Sequence, residues 1–200
     1  MTLVEPRIPR WTREQFYEMA AHGWFRGKRA LLLGGEIFEM MPQGNWHSVV
    51  IGKVQYALER GFPHGSFWVR IQMPLDLPDG ASEPEPDVAV VAGKPDDYTR
   101  HPSTALLVVE VSDSSLRLDR RKANAYAASG VPDYWIVNLP DHVVERYCDP
   151  VPDAAAEFGH RYATVSVLRP GEFVTPRPAH DATVAIADLL PAHRVDSASL

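Results

Sequence analysis

Two hundred residues with 45% hydrophobic and 23% charged side chains describe an ordinary globular chain, able to bury roughly 70% of its unfolded surface. Cys148 is its only cysteine, which excludes an intrachain disulfide and a thiolate zinc site and points to a reducing compartment. A net charge of −6 and a pI near 5.7 argue against a protein that holds nucleic acid through a basic surface. They leave open an enzyme whose bound cations offset its acids.

The opening MTLVEPRIPRWTREQF carries charges and prolines where a secretory signal would be apolar. The longest apolar runs, such as Ala105 to Val109, are too short to cross a bilayer. A cytoplasmic protein without a membrane partner is expected. Thr12-Arg13-Glu14-Gln15 is a capping box, and Phe16, Met19 and Ala20 follow at helical spacing, which predicts a helix over Thr12–Ala21. Two apolar runs, Arg29 to Leu33 and Glu36 to Met41, flank Gly34-Gly35 and predict a β-hairpin. Asn45 is placed to cap a second helix whose buried stripe is Val50, Ile51, Val54, Ala57 and Leu58.

Phe67 to Met73 alternates, with Trp68, Arg70 and Gln72 on one face of a strand. Pro74 to Pro86 is loop, with four prolines and Gly80. Val88 to Ala92 and Ala105 to Val111 are valine-rich runs of the kind covered on both faces. Leu118 to Ser129 predicts a third helix ended by Gly130, and Tyr134 to Leu139 another strand. Beyond His142 the pattern is of hairpins: Val143 to Cys148, Tyr162 to Leu168, and Glu172 to Val174, with Pro150 to Glu157 a loop and a loosely ordered tail after Pro191. The expected architecture is α/β: helix, three strands, helix and strand, making a mixed sheet flanked by helices, with added β-hairpins at both ends. One domain over 1–200 is expected, its core about 12–148 and a C-terminal β-hairpin extension about 149–190.

A charge inside an apolar strand is costly unless it has a partner or a task. Asp87 opens the Val88 strand, and Glu110 interrupts Leu106-Leu107-Val108-Val109 before Val111. Period-two geometry puts Val108, Glu110 and Ser112 on one face. If the two strands are neighbours, both carboxylates meet at one spot. Two acids with remaining positions for water and phosphate suit Mg²⁺ or Mn²⁺. The next helix carries Arg121 and Lys122, with Lys122, Tyr126 and Ser129 on one face, in reach of the Glu110 strand end. His47, near a helix start, is a candidate ligand or base, since the dipole disfavours its charged form. Gln72 and Arg121 are candidates for substrate contact. The bland alternatives are a strand-end Asp satisfying loop amides, a solvated lysine beside Arg120 and Arg121, and a core-edge histidine in line with Ile51, Val54 and Leu58.

Pro86-Asp87, Glu110-Val111-Ser112 and a downstream lysine resemble the PD-(D/E)XK nuclease superfamily. The wider order resembles its Uma-type, restriction-endonuclease-like branch: Gly35-Glu36-Ile37, His47, Glu85-Pro86-Asp87-Val88, Val109-Glu110-Val111-Ser112, Lys122 with Tyr126, and Gly130-Val131-Pro132-Asp133-Tyr134-Trp135. The match runs from about Thr12 to Tyr147. The resemblance implies a restriction-endonuclease-like core with Asp87 and Glu110 on a metal, Glu36 completing the site, and Lys122 as catalytic lysine, because Ser112 stands at the usual lysine position. It implies a Mg²⁺- or Mn²⁺-dependent endonuclease with DNA as substrate. A homodimer would supply the paired sites that cutting both strands needs. The competing expectations are a nuclease-fold binding or assembly module with a degraded site, and a metal-dependent hydrolase of a smaller phosphate ester.

Overall fold

The structure is a computed structural model that describes residues 8–179 and 182–192. Helix α1 (Arg13–Ala21) begins where the capping box predicts: the Gln15 N–H donates to Thr12 Oγ1 and the Thr12 N–H donates to Gln15 Oε1. Phe16 and Met19 are its buried residues. Thr12→Ala removes one of these bonds and is expected to cost about 1 kcal/mol in a urea melt. An unchanged midpoint would mean that packing alone holds α1.

Strands β1 (Arg29–Leu33) and β2 (Glu36–Met40) pair antiparallel through Gly34 and Gly35, at φ +57° and +75°. Two consecutive positive φ values are what a tight two-residue hairpin turn requires, and glycine supplies them without steric cost. Helix α2 (Asn45–Gly61) is capped by Gly44, so Asn45 is its first helical residue instead of its cap.

The central sheet has six strands in chain order: β3 (Phe67–Ile71), β4 (Val88–Ala92), β5 (Leu107–Ser112), β6 (Asp133–Asn138), β7 (Val143–Pro152) and β8 (His160–Leu168). Only β5 and β6 run parallel, joined through helix α3 (Leu116–Ala128); the other neighbours are antiparallel. The expected order of helix, three strands, helix and strand is therefore α2-β3-β4-β5-α3-β6. Leu107, Val109 and Val111 face the core under α2, whereas Val108 faces the core under α3. Glu110 and Ser112, in phase with Val108, point toward α3.

The structure corrects the expectations at element ends. β3 stops at Ile71, because Gln72 has φ +50° and leaves the alternation. Helix α3 starts two residues earlier than predicted, at Leu116. The 150–157 loop begins late, since β7 continues to Pro152 against β8, with Pro150 opposite Tyr162 and Val151 opposite Arg161. The 148/149 boundary thus falls inside a strand, and the β7–β8 hairpin extends the main sheet. Strand β9 (Phe173–Val174) pairs with β10 (Val184–Ala185), which leads into the short helix α4 (Ile186–Leu189). Most of the tail after Pro191 lies outside the described residues.

Asp133, within the Gly130–Trp135 run, is fully buried. It accepts hydrogen bonds from the Trp135 indole at 2.7 Å, from the Arg146 guanidinium at 2.9 and 3.0 Å, and from the Arg177 amide at 2.9 Å. That network ties β6 to β7 and to the C-terminal segment. Among the described residues, no helix is long and apolar enough to cross a membrane.

Candidate active site

Strand pairing brings the two predicted carboxylates together. Val88 sits opposite Val109, so Asp87, one residue before, meets the end of β5, and its Oδ2 accepts the Val111 N–H at 2.8 Å. Asp87 and Glu110 are 6% and 3% exposed, and both line a cavity of about 210 Å³. Lys122, 2% exposed, rises from α3 into the same place. Its ammonium donates to Glu110 Oε1 at 3.1 Å and to Asp119 Oδ1 at 3.0 Å. Tyr126, one turn further along α3, donates its hydroxyl to Glu110 Oε1 at 2.8 Å. Both donors use Oε1, which leaves Glu110 Oε2 without a hydrogen bond among the described residues.

Ser112 occupies the next position on Glu110's face and is fully buried, with no hydrogen bond to its Oγ among the described residues. The cationic group that the strand lacks there is supplied by α3. His47 is brought in from the start of α2, its Nε2 lying 3.0 Å from Asp87 Oδ1. Gln72, turned by its positive φ, donates to the same oxygen at 3.3 Å. It is thus a hydrogen-bond partner of Asp87.

Glu36 and Arg121 stand elsewhere. Glu36 accepts from Arg121 at 2.7 Å and pairs with Arg10 at 2.9 Å, while Arg121 also donates to Glu157 at 2.5 and 2.8 Å. Neither lines the cavity. Arg121 stabilises the Glu36 carboxylate and holds its pKa below the usual range. Among the described residues, no group of three or more His, Cys, Asp and Glu side chains is gathered closely enough to hold a metal ion.

Asp119 is the residue that sequence reasoning left out. It is 2% exposed, receives the Ser115 hydroxyl at 2.5 Å as well as Lys122, and lines the cavity. Its spacing of three residues before Lys122 on a helix was the available signal. Three buried carboxylates therefore lie near one ammonium, which contacts two of them.

That imbalance sets the protonation chemistry. Burial pushes Glu110 up to about 7 despite the opposing pull of Lys122, with Asp119 and Asp87 adding to the rise. For Lys122, burial alone would lower the pKa, but Glu110 and Asp119 outweigh it and hold the side chain cationic. Burial would also lower His47, yet the hydrogen bond to Asp87 and the nearby carboxylate charges raise it above its ordinary value. This reverses the expectation from the helix dipole, because a full charge 3.0 Å away exceeds a terminal partial charge. Asp87 is held low: burial opposes, but His47, the Val111 N–H and Lys122 prevail.

The sign of the pH dependence follows. Raised folded-state values for Glu110 and His47 mean stability fully present below their unfolded values and lost as pH rises through the folded ones. The depressed Asp87 adds stability that is lost only in acid. In EDTA the wild-type Tm is expected to fall between pH 6 and pH 8. A Tm that is flat or rises over that interval would refute the assignment.

The fold is a six-stranded mixed sheet flanked by helices, an α/β architecture with Asp87, Glu110 and Lys122 at one cavity. A family model for Uma2, described as "Putative restriction endonuclease", matches residues 13–187, and the chain belongs to that family. Among solved structures, it is similar to the crystal structure of "a putative nuclease belonging to DUF820" from Anabaena variabilis ATCC 29413, with a TM-score of 0.63. The two are 15% identical over 89% of this chain and 96% of that one, a likeness of fold. No curated protein matches.

Proposed function

We propose that this protein is a divalent-metal-dependent nuclease that hydrolyses phosphodiester bonds, with DNA as substrate. The observation that carries the reading is the convergence of Asp87, Glu110 and Lys122 at one small cavity where carboxylate charge exceeds cationic charge. A nuclease family and a nuclease-like fold support the class of reaction.

Asp87 and Glu110 are hard oxygen donors of the kind Mg²⁺ or Mn²⁺ takes, with no third His, Cys, Asp or Glu gathered closely enough to complete a ligand group among the described residues. Asp87 and Glu110 would hold the ion through carboxylate oxygens, with Glu110 Oε2 free for it, and water and substrate would fill the remaining positions of a hard-cation shell. When bound, such an ion supplies polarisation of a phosphoryl oxygen and a more acidic water. The chain's own residues do the rest. Lys122 keeps a positive charge at the cavity floor, where negative charge grows as the phosphorus is attacked. Its two carboxylate contacts and the Tyr126 hydroxyl fix the ammonium and Glu110 in place. His47 orients Asp87 from the opposite side. A homodimer is proposed for cleavage of both strands, with the 200 residues acting as one unit.

The test is nicking of supercoiled DNA with Mg²⁺ or Mn²⁺, together with the Mn²⁺-induced rise in Tm. Nicking and stabilisation are expected together. Failure of both metals on DNA and RNA, with the fold intact, ends the nuclease reading. One observation favours a second reading, a binding or assembly module: Glu36 is held by two arginines and does not line the cavity, so it does not join Asp87 and Glu110 there. Under that reading Mn²⁺ leaves the Tm unchanged.

A further inference from the structure

Away from this site, a buried guanidinium lacks a hydrogen bond to two of its nitrogens among the described residues. Arg70 on β3 is 2% exposed, and its Nε and Nη1 are enclosed without a hydrogen bond; no ion pair involves it among the described residues. A guanidinium does not shed its charge, so an unpaired one in the interior works against folding. Asp76 acts on it through charge without forming an ion pair with it, its own Oδ1 being enclosed without a hydrogen bond among the described residues. Asp76 stands 3.7 Å from Arg13, and the Tyr98 hydroxyl donates to the Ala92 carbonyl at 2.6 Å. One face of the guanidinium is covered by the Trp68 ring, 4.9 Å from its centroid, and Trp68 lies 5.8 Å from the Tyr98 ring.

These side chains line an open cavity of about 410 Å³, with Arg100 and His101 at its edge and Asp76 as its acid. It is distinct from the acidic cavity but shares a sheet face with it. Arg70 pairs with Ala89, two residues past Asp87, which by strand geometry places it roughly 8 Å from Asp87 between α-carbons. β3 is the edge strand, so a chain lying along this edge meets both places.

We infer that Arg70, Trp68 and Tyr98 form a phosphate-binding subsite for a nucleotide, independent of metal. The planar fork of the guanidinium matches a phosphate's paired oxygens, and the two rings offer flat apolar surface to a base. The cavity size suits a ligand of one nucleotide. The phosphate belongs either to a nucleic-acid strand or to a free nucleotide; assignment to a strand rests on the nuclease reading. The cost of burying Arg70 unpaired is then the cost of keeping a ready anion site.

The experiment is calorimetric titration of the full chain in EDTA with inorganic phosphate, thymidine 5′-monophosphate and a short single-stranded oligothymidylate. At least one nucleotide probe is expected to bind more tightly than phosphate. Arg70→Met is expected to weaken that binding at least about tenfold, a charge-assisted bidentate contact being lost. Its ligand-free Tm is expected to equal or exceed the wild type's, whereas a purely structural arginine would leave it lower. Tight binding of the oligonucleotide alone identifies the strand phosphodiester, and tight binding of the mononucleotide identifies a free nucleotide. No binding of any probe by the wild type up to about 10 mM, a limit set by millimolar affinity, overturns the subsite without recourse to a variant. Undiminished affinity in Arg70→Met overturns it equally. Because metal is absent, a chain that binds through Arg70 but cuts nothing overturns only the nuclease reading. One that cuts but shows no Arg70-dependent binding overturns only the subsite.

Discussion

Glu110→Gln is expected to reduce metal-dependent nicking by at least about 10³-fold, the scale on which loss of transition-state charge stabilisation is felt. Glutamine keeps the shape of the side chain and can still accept from Lys122 and Tyr126 through its carbonyl oxygen. It cannot offer a second anionic oxygen to a cation. The Mn²⁺-induced rise in Tm is expected to vanish with the activity. The metal-free fold should not suffer: burial raises the wild-type carboxyl to about 7, so at pH 8 the folded protein carries an ionised group that its surroundings disfavour. The variant's Tm in EDTA at pH 8 is therefore expected to match or exceed the wild type's. Cleavage within tenfold of wild type would remove Glu110 from the mechanism.

Lys122→Met is expected to destabilise the metal-free protein by about 3–5 kcal/mol, the cost of leaving buried charge uncompensated. For a chain of this size that corresponds to a Tm lower by about 10 °C. Three carboxylates, those of Asp87, Glu110 and Asp119, would remain buried without the ammonium that two of them contact. The loss should shrink at pH 6 compared with pH 8, since Glu110 then takes up a proton. A solvated helix lysine would behave otherwise: its removal would shift Tm by about a degree at most and be indifferent to pH. Such a result would overturn the role proposed for Lys122.

The two predictions concern the part of the site that sequence reasoning located best. Glu110 was conspicuous because it sits in a valine run whose burial on both faces follows from composition alone. Asp87 was conspicuous because it opens the neighbouring run. Lys122 was drawn in by helical phase and by the family pattern. Their meeting needed the strand register, in which Val88 faces Val109. Glu36 shows the reverse case. A family pattern assigned it to the site, yet Arg121, 85 residues away in the chain, claims its carboxylate.

Chain-local chemistry was enough for the elements themselves. A threonine three residues before glutamine starts α1, two glycines turn β1 into β2, and alternation separates the Glu110 face of β5 from its opposite. Each depends on neighbours within a few positions, and those neighbours are written in order along the chain. Tertiary structure alone decided which charges are paired. It turned Gln72 onto Asp87, brought the Lys122 ammonium to Glu110 on the neighbouring strand, carried β7 past Cys148 because β8 was there to pair with it, and left Arg70 without an ion pair among the described residues. An ion pair forms or fails within about 4 Å, and groups many tens of residues apart are brought to that distance only by packing.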